Sequence, residues 1–282
     1  MFVHVGDQVS VDDLLKGIII QSGNDACIVI AEGFAGSEAV FAESLNTKAK
    51  ELGLTHSTFK NATGLPEEGH MMTVRDLTIL ARHLINDFPE YYHYFSQKDF
   101  TYNGIHQENR NMLLDRNLGV DGLKTGHTDQ AGYGITVSGK QKDRRLILSI
   151  NGLSGTKERA SEAERLLQYG FLNFDNVTIF KKDAIIDDAK VWMGTNKTVP
   201  VTIDNNVVFT VPKNNADKIK ASVSYDSPLS APIKKGDHIA DLTVTVPGFG
   251  DKVYPLTAAK DVDKLSFAGR WLANMKYHLL GS

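Results

Sequence analysis

The sequence predicts an α+β chain built as two domains followed by an amphipathic helix, and three observations carry that prediction. Apolar residues recur at helical spacing through most of the first 175 residues, with strand-like stretches near their middle and end. From about Val177 the helical period vanishes, and short β-branched runs alternate with Asn, Asp, Gly and Pro clusters. In the last twenty residues one helical arc collects the aromatic and large apolar side chains. A length of 282 residues suits about two domains, and the expected divisions are 1–175, 176–262 and 263–282.

The elements follow in order. Ser10 and Asp13 form a capping pair that can satisfy orphan N–H groups at a helix start, and Leu14, Leu15, Ile18 and Ile19 continue it. Ser22-Gly23-Asn24 breaks the period before a second helix from Ala26 to Ala35. Ser37 opens a third, with Val40, Phe41, Leu45, Ala49 and Leu52 on its inner face and Gly53 closing it. A fourth runs from Thr73 to about Asn86, stopped by Pro89. Phe100–Tyr102 reads as a short strand, and Tyr133–Gly139 with Arg145–Ile150 as a hairpin around Lys140–Asp143. Ser161–Leu172 returns to helix. Beyond it, Val199–Ile203, Val207–Val211, Ala221–Tyr225 and Leu242–Val246 read as strands of an all-β domain beginning near Asp175-Asn176. Asn205-Asn206 suits a tight hairpin turn, because Asn tolerates positive φ.

Composition narrows the functional classes. Thirty-one basic against thirty-four acidic residues give a net charge of −3, so no broad basic surface is available to draw a nucleic-acid backbone. The lone Cys27, read as a small buried side chain, excludes an internal disulfide and a multi-cysteine zinc site. The nine His show no ligand spacing, so neither a metal nor another cofactor is implied. No apolar run reaches the roughly 18 residues of a membrane span. The tail arc of Phe267, Ala268, Trp271, Leu272, Met275 and Leu279 suits either a helix packed on its own domain or one lying in a membrane interface.

Two short polar motifs bear on chemistry. Ser22-Gly23-Asn24 reads as a capping turn between helices or as part of a site, and Lys124-Thr125-Gly126 as a surface turn or as part of the same site. A Ser-x-Asn arises by chance about once in a chain of this length. Their order is more informative: Lys124 stands 100 residues after Asn24, just before the hairpin. That is the layout of serine acyl-transfer enzymes carrying S-x-x-K, S-x-N and K-T-G boxes.

Longer stretches extend the likeness: Gly6 to Ala26, Glu51 to Leu65, Asn109 to Leu114 and Val120 to Tyr133. Over these the chain resembles the low-molecular-mass penicillin-binding proteins, the D-alanyl-D-alanine carboxypeptidases. The resemblance implies a penicillin-binding, β-lactamase-like domain, a small all-β domain, and a tail helix at 264–280 on a membrane surface. It implies a serine-type enzyme that removes the terminal D-Ala from peptidoglycan stem peptides, is trapped by β-lactams, and serves cell-wall synthesis and cell shape. The expected location is the periplasmic face of the bacterial inner membrane, the β-domain holding the catalytic domain off its surface. Carried onto this sequence, Ser22 relays a proton toward the leaving amine and Asn24 holds the substrate amide. Lys124 supplies positive charge beside Ser22. Thr125 and Arg159 bind the terminal carboxylate, with Gly126 in the same box, and the His127 N–H is half of an oxyanion hole. Arg110 lies near the site.

One box is out of place. The family's nucleophile and its lysine base stand in a Ser-x-x-Lys upstream of the S-x-N, and none precedes Ser22 here. Ser57–Lys60 and Ser154–Lys157 match the pattern but come after Ser22, and both read as coincidence. The resemblance therefore implies a chain lacking the export signal, the first strands and the nucleophile helix, inactive alone and marginal in folding. The competing expectation is a degenerate, non-catalytic relative that binds peptidoglycan or other wall partners.

Overall fold

The computed structural model describes residues 1–280, with the side chains of 276, 277, 279 and 280 left aside. It divides into a first unit, Met1–Leu172, and a second, Asn173–Ser282. The division falls at the end of a helix, and Asp175-Asn176 lie inside the strand that follows.

The helices of the first unit are α1 (Val11–Lys16), α2 (Asn24–Ala35), α3 (Glu38–Glu51), α4 (Val74–Asp87) and α5 (Thr156–Asn173). Local chemistry sets three of their starts. Ser10, Ser37 and Thr73 each accept a hydrogen bond from the backbone N–H three residues on, satisfying one orphan donor. Gly53, at φ +75°, follows the end of α3 in the left-handed conformation that glycine adopts without a Cβ clash. Val40, expected inside, is exposed; α3 buries the small Ala42 and Ala49 instead. Between α1 and α2 the chain makes a single π-turn, Gly17–Gln21, which the apolar period does not distinguish from α-helix.

Five strands complete this unit. β1 (Asp99–Tyr102) and β2 (Ile105–Glu108) pair through Asn103-Gly104, both at positive φ, a turn signal the sequence carries but the expectations above omit. β3 (Val120–Thr128), β4 (Gly132–Gln141) and β5 (Arg144–Leu153) form an antiparallel sheet in the order β3-β4-β5. Lys124-Thr125-Gly126 therefore lies in an edge strand, not in a surface turn. Register divides the faces. Leu123 and Thr125 stand opposite Val137 and Ile135, and the latter two pack with Ala160, Ala163 and Leu167 of α5. The opposite face is a polar row: Lys124 pairs with Thr136, and Thr136 with Ser149, their hydroxyls 2.9 Å apart.

The second unit contains β6 (Phe174–Phe180), β7 (Ile185–Trp192), β8 (Thr198–Thr202), β9 (Val207–Pro212), β10 (Lys220–Ser224), β11 (Leu229–Ser230), β12 (His238–Val246), β13 (Gly250–Ala258) and then α6 (Phe267–Leu280). Six strands run β10-β12-β13-β8-β7-β11, and β6 pairs with β9. The hairpin expected at Asn205-Asn206 is overturned. β8 takes β7 and β13 as neighbours and β9 takes β6, so this connection passes between two sheets, with Asn206 Oδ1 accepting from the Lys182 N–H at 2.8 Å. On α6, Phe267, Ala268, Trp271, Leu272 and Met275 are exposed, so the arc is not packed on its own unit; Leu279 lies outside the described side chains. No helix among the described residues is long and apolar enough to cross a membrane.

Candidate active site

Ser22 is the residue on which α1 and the π-turn end. Its φ of 56° and ψ of 45° are left-handed, a conformation that costs a non-glycine residue free energy of order 1 kcal/mol and accumulates at functional sites. Its N–H closes the π-turn by donating to the Gly17 carbonyl, and α2 begins two residues on. That corner presents the Ser22 hydroxyl to the polar face of the β3-β4-β5 sheet, where Lys124 Nζ donates to Ser22 Oγ across 102 positions of sequence. The same ammonium donates to the Thr125 carbonyl at 3.0 Å.

Lys124 is half-buried, and burial is the largest cause holding its pKa down at about 8, against an ordinary 10.5. The charges of Arg110 and Arg159 push the same way, while Cys27 opposes them. At neutral pH the side chain is mostly charged, yet its proton is held far less tightly than a surface lysine's. Cys27, expected to be buried, is half-buried; desolvation raises its thiol pKa and Lys124 partly offsets that.

Arg159 sits in the first turn of α5 and is 6% exposed. Its Nη2 donates to the Arg110 carbonyl at 3.4 Å, and its guanidinium stands 5.8 Å from the Tyr133 ring centroid. Tyr133, the register partner of His127, has its ring 3.9 Å from the imidazole, centroid to centroid. Tyr133 is thus a lining residue, which the sequence marks only as the start of a hairpin strand and the end of a matching stretch. Thr125 is buried, whereas Gly126 and His127 are exposed on β3, and a Cβ at Gly126 would meet nothing within 4 Å. The outer side of β3 has no strand neighbour among the described residues. Asn24 opens α2 with its side chain exposed, and Arg110 is exposed as well.

Ser22, Lys124, Thr125, Arg110 and Arg159 are therefore linked by hydrogen bonds or mutual charge, and His127 joins them through Tyr133. The two later Ser-x-x-Lys matches are engaged elsewhere: Ser57 Oγ donates to Asp76 at 2.7 Å and Ser154 Oγ to Glu158 at 2.6 Å. Among the described residues no group of three or more His, Cys, Asp or Glu is placed to hold a metal ion.

A three-stranded sheet with a helix on one face and a Ser–Lys pair on the other, followed by an all-β unit, is the penicillin-binding, β-lactamase-like α+β fold. The structure matches penicillin-binding protein 5 from Haemophilus influenzae at a TM-score of 0.82 and 36% identity, over 94% of this chain and 78% of that one. It also matches penicillin-binding protein D2 of Listeria monocytogenes in its cefotaxime-bound form, at a TM-score of 0.55 and 31% identity over 60% and 74% of the two chains. The family model for D-alanyl-D-alanine carboxypeptidase, peptidase S11, covers residues 1–154, and that for the penicillin-binding protein 5 C-terminal domain covers 174–264. D-alanyl-D-alanine carboxypeptidase DacC of Escherichia coli K12 is 42% identical over 99% of this chain and 70% of its own length. The chain belongs to the serine-type D-alanyl-D-alanine carboxypeptidase family.

Proposed function

We propose that the Ser22–Lys124 site acts on the D-Ala-D-Ala end of peptidoglycan stem peptides. The observation that carries this is the contact between Lys124 Nζ and Ser22 Oγ beside two arginines. A stem peptide lies along the open side of β3, adding a strand through main-chain hydrogen bonds. Its terminal carboxylate meets Thr125 and the guanidinium of Arg159, with Arg110 adding charge. Asn24 holds the penultimate amide, and the His127 N–H faces the oxygen on which negative charge develops. When a serine hydroxyl adds to the carbonyl carbon and the C–N bond breaks, Lys124 passes a proton through Ser22 to the leaving amine and is re-protonated by the proton the attacking hydroxyl gives up, an exchange its lowered pKa suits. Water then cleaves the ester to free the shortened peptide. A β-lactam presents the same carboxylate and amide to the same residues, as the cefotaxime-bound relative supports.

The nucleophile itself belongs to a Ser-x-x-Lys box, and none precedes Ser22 in these 282 residues. The polypeptide by itself therefore binds D-Ala-D-Ala peptides without hydrolysing them. Fluorescent penicillin tests this directly. The expected outcome is no covalent label on the 282-residue chain, with reversible binding of a D-Ala-D-Ala peptide weakened about tenfold or more in Arg159→Ala. A stable adduct would overturn the missing-nucleophile reading, and unchanged peptide binding in Arg159→Ala would overturn the carboxylate assignment.

The same reading places the chain peripherally on the periplasmic face of the inner membrane through residues 264–280. Exposure of Phe267, Trp271 and Leu272 at 81, 62 and 67% supports it. Removing residues 265–282 should abolish co-flotation with phospholipid vesicles, and undiminished flotation would overturn the membrane role.

A further inference from the structure

The sheet face that carries Lys124 also carries a cluster that none of the roles above uses. Asp121 is the bulged residue at the start of β3, where the register with β4 slips between Val120 and Gly122. Arg145 of β5 reaches across β4 and grips its carboxylate with a fork, Nη1 to Oδ1 and Nη2 to Oδ2, each at 2.7 Å. On the way Nη1 donates to Ser138 Oγ at 2.8 Å; Ser138 is fully buried and is the register partner of Gly122. A fourth contact comes from the 3-10 turn Tyr92–Ser96, whose Tyr92 hydroxyl donates to Asp121 Oδ1 at 3.0 Å. The Arg145 guanidinium lies 5.3 Å from the Tyr92 ring centroid. Backbone and turn are in close contact here: a Cβ on Gly122 would stand 2.7 Å from the Tyr92 hydroxyl oxygen and 3.1 Å from Phe95 Cβ.

A β-bulge raises the local twist and re-aims the side chains beyond it. Lys124 is the third residue after Asp121 and projects from the face on which Arg145 and Ser138 lie. We propose that Asp121, Arg145 and Tyr92 are positioning residues for Lys124, fixing the bulge so that the following strand delivers Nζ to Ser22 Oγ. This rests on the reading of Ser22 and Lys124 as the proton relay. The guanidinium is needed as a planar fork: a lysine at 145 keeps the charge but cannot hold both carboxylate oxygens.

Two mechanisms by which the cluster can influence Lys124 differ in sign. Acting only as a charge, Asp121 favours the ammonium, so Asp121→Asn would lower the Lys124 midpoint. Acting by position, loss of the tie lets the ammonium leave its desolvated seat near Arg110, Arg159 and Cys27, and the midpoint rises. Arg145→Lys isolates position, because no charge changes.

The experiment is carbon NMR of lysine side chains labelled at Cε in the 282-residue protein, with the Lys124 signal assigned by its absence in Lys124→Arg. The wild-type midpoint is expected near 8. Arg145→Lys should raise it by about one pH unit or more toward the ordinary lysine value, and Asp121→Asn should move it upward as well. An unchanged midpoint in folded Arg145→Lys overturns the positioning role, as does a downward shift in Asp121→Asn. Should Arg145→Lys fail to fold, Tyr92→Phe, which deletes one hydroxyl, is read the same way, with an upward shift supporting the role and none overturning it. A wild-type midpoint already at 10.5 would instead overturn the relay reading, before any substitution at the cluster is considered.

Discussion

In the second unit, β8, β9 and β12 alternate buried with more exposed positions, and fifteen buried residues meet in one cluster that includes Val201, Val211, Val244 and Leu256. In the first unit the described buried clusters are smaller: seven residues under α5, and three that include Leu14 and Ala26. The difference is clearest in β4, which is buried on both faces but apolar on only one. Its other face, Thr136 and Ser138, is given to the row that supports Lys124 and holds Arg145. Polar groups inside such a row must be hydrogen-bonded, and their burial contributes far less than that of Val or Leu. Chemistry and cohesion are thus divided between the units, and the catalytic one is predicted to be the less stable.

The largest test of that comparison uses cores. Leu256→Ala and Leu167→Ala each remove a fully or nearly fully buried side chain, costing about 2–5 kcal/mol. Calorimetry of the whole chain should show two transitions, the lower moved by Leu167→Ala and the upper by Leu256→Ala. One transition moved by both would break the comparison.

A smaller effect belongs to Lys124. Its folded pKa lies below the unfolded value, so below pH 8 both states hold the proton and the folded state bears the full cost of a buried charge. As pH rises from about 8 to 10.5 only the unfolded chain keeps that proton, and stability increases. The gain attributable to this group is about 3 kcal/mol, confined to the lower transition. Lys124→Met should flatten that slope in denaturant titrations run across the window; an equal slope would show that the lysine is not desolvated.

Smallest is the cap of α3. Ser37→Ala removes the acceptor for the Val40 N–H and should cost about 1 kcal/mol, again in the lower transition alone.

Legibility in the sequence followed the range of the interactions involved. Caps at Ser10, Ser37 and Thr73 could be read because their chemistry spans three residues. The β-branched runs at β8, β9, β10 and β12 were also legible, but their partners were not. Asn205-Asn206 has the residues of a hairpin turn, and only the core of the second unit decides that β8 joins β7 and β13. β3 escaped because a strand buried by a helix on one side and a polar site on the other lacks simple alternation. The order of two short motifs marks Ser22-Gly23-Asn24 and Lys124-Thr125-Gly126, whereas their roles, and the choice of Arg110, His127 and Arg159, come only from likeness to a family. What likeness left out, Tyr133 and the Asp121–Arg145–Tyr92 tie, depends on which strands are neighbours.

The π-turn at Gly17–Gln21 adds one residue to the winding of the chain before Ser22. It acts as a phase setting. Rewinding that turn as an ordinary α-turn, with its residue count kept, would rotate everything beyond it by about 100°. Ser22 would then point away from Lys124 although both residues were intact, so this site can be lost by a change of winding as surely as by a change of chemistry.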